Sequence, residues 1–139
     1  MKLLSLAVIL TSLLLAACTT QKDIAVKVSC DDFKNPHVTK TIKVTEGKDF
    51  TVTLCSNPTT GFSWETPHIS DPKIVQVVDS TFIAPNTGAT PPLAGAPGSN
   101  MWTFKAVAKG TITIANSYSR PWEGGEKGAW TFNLTVTVQ

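Results

Sequence analysis

The stretch Trp130-Thr131-Phe132-Asn133-Leu134-Thr135-Val136-Thr137-Val138 alternates apolar and polar residues without a break. Successive side chains of a strand point to opposite faces, so one face here is wholly apolar and the other carries threonine and asparagine. That is the pattern of a strand with one face on a core and the other toward solvent. The same period recurs upstream. Ile24, Val26, Val28 and Cys30 alternate, Ile42 and Val44 make a second short run, and Phe50, Val52 and Leu54 alternate with threonines up to Cys55. Phe62 and Trp64 begin another strand, and Ile74–Phe82 reads as one apolar enough in its middle to be well buried. Met101–Ala108 and Thr111–Tyr118 follow, with Lys109-Gly110 between them read as a tight hairpin turn. Asp31–His37, Glu46–Asp49 and Pro67–Pro72 read as connections.

Composition agrees. From Cys18 onward the chain holds three leucines against eleven valines, seven isoleucines and nineteen threonines. β-Branched residues favour strands, and no segment sustains a 3.6-residue period. Seven or eight short strands with turn signals between them predict an all-β, immunoglobulin-like sandwich of antiparallel strands with Greek-key connections.

The first seventeen residues stand apart. Lys2 is a short basic lead, Leu3–Leu15 an apolar run, and small residues follow, as in a signal peptide. The run is shorter than the roughly 20 residues a spanning helix needs. It ends in Leu15-Ala16-Ala17-Cys18, which resembles the bacterial lipobox, whose cysteine is acylated after cleavage. The expected division is a signal peptide over 1–17, an acylated Cys18 with a polar tether over 18–23, and one domain over 24–139. The expected place is the cell envelope, lipid-anchored by palmitate-type acylation: the outer membrane if the cell is diderm, its surface if monoderm. Beyond Cys18 the side-chain charge is +1, with both signs interspersed. Nucleic-acid binding needs a basic stripe, and none exists.

Nor is there a catalytic constellation. His37 and His68 lie in connections and in no metal-ligand spacing, and no Gly-x-Ser-x-Gly elbow occurs. The residues call for no metal and no cofactor, and the expected role is not enzymatic. With Cys18 acylated, Cys30 and Cys55 remain, an even number in an exported chain. Two readings stay open: a disulfide, stabilising by roughly 3–4 kcal/mol through loop closure, or two separate buried thiols.

Three connections carry more information than turns require. Ser56-Asn57-Pro58-Thr59-Thr60-Gly61 is stiffened by proline and allowed a positive φ by its glycine. Ile83–Asn100 contains four prolines, three glycines and no charge, with Leu93 alone among Pro91-Pro92 and Ala94-Gly95-Ala96-Pro97-Gly98-Ser99. Tyr118-Ser119-Arg120-Pro121-Trp122-Glu123-Gly124-Gly125 places a tryptophan and an arginine, both enriched in binding hot spots, in a loop. Connections of a sandwich alternate between its ends. These three are therefore expected at one end, as binding loops.

Asn57-Pro58-Thr59-Thr60-Gly61, the glycine-containing middle loop before Trp102-Thr103-Phe104-Lys105-Ala106, and Arg120-Pro121-Trp122 together resemble the chagasin-like inhibitors of papain-like cysteine proteases. The resemblance spans roughly residues 38–138. It departs in the middle loop, where the family usually carries a Gly-Gly step and this chain has Ala96-Pro97-Gly98. It implies a reversible, non-covalent, monomeric inhibitor whose partner is a papain-like cysteine protease. Asn57, Pro58, Thr59, Thr60 and Gly61 would enter the cleft, with Leu93, Gly95 and Gly98 on one side and Arg120, Pro121 and Trp122 on the other. The alternative is an envelope binding module, adhesive or ligand-binding, that uses the same loop edge.

Overall fold

The protein was studied as a computed structural model, which describes residues 23–88, 90–91 and 93–139. The expected signal peptide, Cys18 and most of the tether lie outside the described residues.

Alternation gives nine strands: β1 (Ile24–Val28), β2 (His37–Val44), β3 (Asp49–Ser56), β4 (Ser63–Trp64), β5 (His68–Ile69), β6 (Val75–Ile83), β7 (Gly98–Ala106), β8 (Gly110–Ser119) and β9 (Trp130–Val138). One sheet has the order β1-β3-β7-β6 and the other β2-β9-β8-β4, with β5 also pairing β8. Alternate residues meet between the sheets. Phe50, Val52 and Leu54 of β3 and Trp102, Phe104 and Ala106 of β7 form one side of the core. Ile112, Ile114 and Tyr118 of β8 and Phe132, Leu134, Val136 and Val138 of β9 form the other. The all-β, immunoglobulin-like sandwich expected from the alternation is the fold observed.

His37 and His68, read as lying in connections, begin the strands β2 and β5, and four larger details differ from the sequence reading. The sheets are mixed, because β1 pairs β3 in parallel and β2 pairs β9 in parallel. The chain goes up in β1, crosses to descend as β2 in the other sheet, and returns upward as β3, so β1 and β3 must run the same way. Second, Lys109-Gly110 is no hairpin. β7 pairs β3 and β6 while β8 pairs β9, β4 and β5, so this segment crosses between sheets. A Lys-Gly step marks a sharp turn in either case and does not say which strands it joins. Third, β6 is an edge strand and of its nine residues only Val75 is buried. The facing β4 and β5 are two residues each, too short to cover it, and a bulge between Val77 and Asp79 breaks its register. Fourth, the Asp31–His37 connection hides Phe33 in the core, on a 3-10 turn over Cys30–Lys34. The Ser29 hydroxyl and N–H both donate to Asp32 Oδ2 at 2.7 Å, and these bonds hold that carboxyl below its ordinary pKa.

Strand directions fix two poles. Ser56 lies opposite Gly98, Ile83 opposite Ser99 and Ser63 opposite Ser119, so the connections after β3, β6 and β8 share one end. Ile24, opposite Phe50, and Val138, opposite Gly110, lie at the other.

Candidate functional site: a three-loop edge

The three connections singled out from the sequence meet at one pole. Pro58–Thr60 forms a single 3-10 turn, closed by Thr60 N–H on the Asn57 carbonyl (3.2 Å) and Gly61 N–H on the Pro58 carbonyl (3.0 Å). Gly61 takes φ +80°, a left-handed value that a side chain strongly disfavours. Asn57 organises this loop. Its N–H donates to the Tyr118 hydroxyl (2.8 Å), and its Nδ2 donates to the Gly95 carbonyl (2.9 Å). Its Oδ1 accepts from the Thr59 hydroxyl (2.6 Å), and its carbonyl accepts from the Thr60 hydroxyl (2.7 Å). Asn57 is half-buried, whereas Pro58, Thr59 and Thr60 stand exposed as the tip. One residue thus ties the first loop to itself, to the second loop and to the end of β8.

The third loop is tied to the first from the other side. Arg120 sets its guanidinium 4.4 Å over the Phe62 ring, and its NH2 group reaches the Thr60 carbonyl at 3.4 Å. Trp122 lies against Gly61, where an added Cβ would come within 2.7 Å of the indole edge. The indole is nevertheless 52% exposed. Lys127 Nζ donates to the carbonyls of Arg120 (2.6 Å) and Trp122 (3.1 Å), and Arg120 N–H donates to the Glu126 carbonyl (2.8 Å). The loop is therefore a closed, internally bonded turn.

Beneath the edge lies a ladder of rings. Phe62 stacks on Tyr118 (5.5 Å), Tyr118 on Trp130 (4.9 Å) and Trp130 on Phe33 (4.7 Å). An apolar groove of about 410 Å³ opens beside it, with Asn57, Thr60 and Pro97 on its rim. Cys30 and Cys55 are joined as a disulfide, with Cα atoms 5.1 Å apart, and the Trp64 indole N–H donates to the Cys55 carbonyl at 2.9 Å. Cys55 is two residues before Asn57, so the bridge anchors the base of the tip loop. The alternation placed both cysteines on the buried phase, but Cys30 is exposed.

The middle loop divides in function. Gly95, at φ +82°, offers its carbonyl to Asn57, and Leu93 is 64% exposed. Gly98 belongs to β7, opposite Ser56. A Cβ there would collide with the Ile83 carbonyl oxygen and come 2.6 Å from the Phe82 ring. By sequence Tyr118 stood at the start of the third loop without a role, and neither Phe62 nor Lys127 was singled out. The aromatics read as core, and a loop lysine reads as a solvated charge.

Among the described residues, no group of three or more His, Cys, Asp or Glu side chains could hold a metal ion. The exposed tip is uncharged and closed by its own hydrogen bonds, with Leu93 on one flank and Arg120, Trp122 and Glu123 on the other, and the whole is suited to recognition of a complementary surface.

Four matches relate the chain to known proteins. The family model described as chagasin family peptidase inhibitor I42 matches residues 43–136. Chagasin from Trypanosoma cruzi is 32% identical over 95 residues, covering 63% of this chain and 79% of chagasin. Among solved structures, the cysteine protease inhibitor EhICP2 from Entamoeba histolytica matches with a TM-score of 0.65 at 21% identity, over 86% of this chain and 99% of that one. PbICP-C, solved in complex with falcipain-2, matches with a TM-score of 0.63 at 21% identity, over 84% and 99%. These two structures share the fold.

Proposed function

The chain belongs to the chagasin family of peptidase inhibitors, and from that premise we propose that it inhibits papain-like cysteine proteases by seating its three-loop edge in the active-site cleft. One observation carries the reading. Asn57 bonds at once to its own loop, to Gly95 and to Tyr118, so the tip is held in shape before any partner arrives. Ordering of side chains and loops is a large share of the cost of association, and here little is left to order. Pro58, Thr59 and Thr60 would lie over the catalytic cysteine. Leu93 and Gly95 would border the cleft on one side, and Arg120, Pro121 and Trp122 on the other. Gly98 would act from below, by letting β6 close over β7.

Recognition is non-covalent and the inhibitor is released intact. A 3-10 turn closed by its own hydrogen bonds resists the extended conformation that a scissile peptide adopts in a protease cleft. Arg120 is held at the edge by its stack on Phe62 and its bond to the Thr60 carbonyl, so its guanidinium is placed beside the tip before the enzyme arrives. An interface of this kind would cover on the order of 800 Å² per partner.

The place of action belongs to the same proposal. The apolar run Leu3–Leu15 and Leu15-Ala16-Ala17-Cys18 support an envelope lipoprotein anchored through Cys18.

The deciding experiment titrates the chain from Thr19 against papain and a cathepsin. The expected result is reversible inhibition at or below micromolar concentration with the inhibitor recovered uncleaved. Full protease activity at that concentration would end the proposal and leave the adhesive or ligand-binding reading of the edge.

A further inference from the structure

The apolar residues that the sandwich leaves outside are unevenly placed. Among the described residues, seven large apolar side chains are exposed: Val77, Val78, Phe82, Ile83, Leu93, Val107 and Trp122. Four of them, Phe82, Ile83, Leu93 and Trp122, sit at or beside the loop pole. Trp122 stands on one side of the uncharged tip. Phe82 and Ile83, each 44% exposed, stand on the other, at the end of β6 where Ile83 pairs Ser99 and Phe82 pairs Asn100.

Two features show this end of β6 to be built rather than left over. Edge strands are usually blunted by charges, prolines or bulges, because an unpaired apolar edge invites association. β6 has those devices only lower down, at the bulge between Val77 and Asp79 and at the charge of Asp79 itself. From Ser80 to Ile83 it has none. In addition, the Phe82 ring is seated on Gly98, a position where any side chain would displace it. Gly98 follows Pro97 directly, and Pro97 lines the same groove as Asn57 and Thr60 of the tip. The apolar end of β6 is thus continuous with the three-loop edge through the middle loop.

We propose that the end of β6, where Phe82 and Ile83 leave the strand on opposite faces, forms a fourth contact element, which docks on apolar surface of the target protease beside its cleft and helps to set which enzymes are bound. This rests on the inhibitory role proposed above. The occupant is the enzyme already held by the loops, because the patch borders the tip and lies on the flank opposite Trp122.

The test compares the wild-type chain with Phe82→Ser/Ile83→Thr and with Val78→Thr, a still more exposed apolar site on the same strand but at its bulge. Inhibition constants against a panel of papain-like proteases, melting temperatures and sedimentation of the free chain are measured together. The double variant is expected to bind about tenfold more weakly or worse, by unequal factors across the panel, with its melting temperature unchanged; truncation of an interface anchor has that size. Val78→Thr is expected to inhibit like wild type. If the double variant melts early, Ile83→Thr alone replaces it. Wild-type inhibition by the double variant overturns the inference, as does equal weakening by Val78→Thr. Loss of a wild-type dimer without loss of inhibition also overturns it and assigns the patch to a second copy. Failure of the wild-type chain to inhibit any enzyme falsifies the inhibitory role itself, and this inference falls with it.

Discussion

Asn57 engages its N–H, both side-chain polar atoms and its carbonyl inside the molecule, so its contribution to binding is made before binding. Trp122 is the opposite case. It is bonded through its carbonyl but offers its ring to solvent against Gly61. The two should respond differently to truncation. Trp122→Ala is expected to weaken inhibition by about 2 kcal/mol or more while leaving the urea midpoint of unfolding in place. Asn57→Ala should weaken inhibition too, but with a loss of stability of about 1 kcal/mol, because it strands the Thr59 hydroxyl and the Gly95 carbonyl that its side chain had satisfied. Identical stability profiles for the two variants would contradict the division of roles. Both residues were legible in the sequence as members of odd loops. Trp122 was legible there as a hot-spot candidate too, whereas the organising role of Asn57 was not, because its partners 38 and 61 residues away are set by the fold.

Elements that carry the edge are fastened from beneath. β3 ends at Ser56, and the disulfide joins Cys55 of that strand to Cys30 at the head of the 3-10 turn that buries Phe33. Phe33 stacks on Trp130, so the bridge ties the tip loop to both sheets. Reduction, or Cys30→Ser with Cys55→Ser, should cost about 3–4 kcal/mol in the chain-entropy account. The loss should appear as a lower urea midpoint, accompanied by weaker inhibition at concentrations where the domain is still folded. Two titratable thiols in the unreduced chain from Thr19 would contradict the pairing. Alternation located these strands well, yet it read β6 as buried. Periodicity reports that a segment can present an apolar face. Whether anything covers that face depends on the length of the strands opposite, and β4 and β5 are too short.

The whole molecule has a loop pole and a terminal pole. Ile24 starts β1 opposite Phe50, and Gln139 bonds Val44 and Glu46 through its backbone, so both described termini lie away from the edge. A chain attached through its N-terminus would present its loops outward. Immobilisation of the chain through residue 19 is therefore expected to leave inhibition of papain unchanged, whereas attachment through a cysteine placed at Thr59 should abolish it. Equal inhibition in both orientations would contradict the polarity. Labelling of the full chain with palmitate, and its loss in Cys18→Ser, checks the anchor itself. The sequence alone determined the strands, the oddity of three loops and their order, because alternation and turn chemistry are local and act within a few residues. Only the tertiary structure decided that β1 and β3 run parallel, that Lys109-Gly110 crosses between sheets, and that β6 lies bare beside the loops. Those properties depend on which distant strands become neighbours, and no local pattern encodes a neighbour.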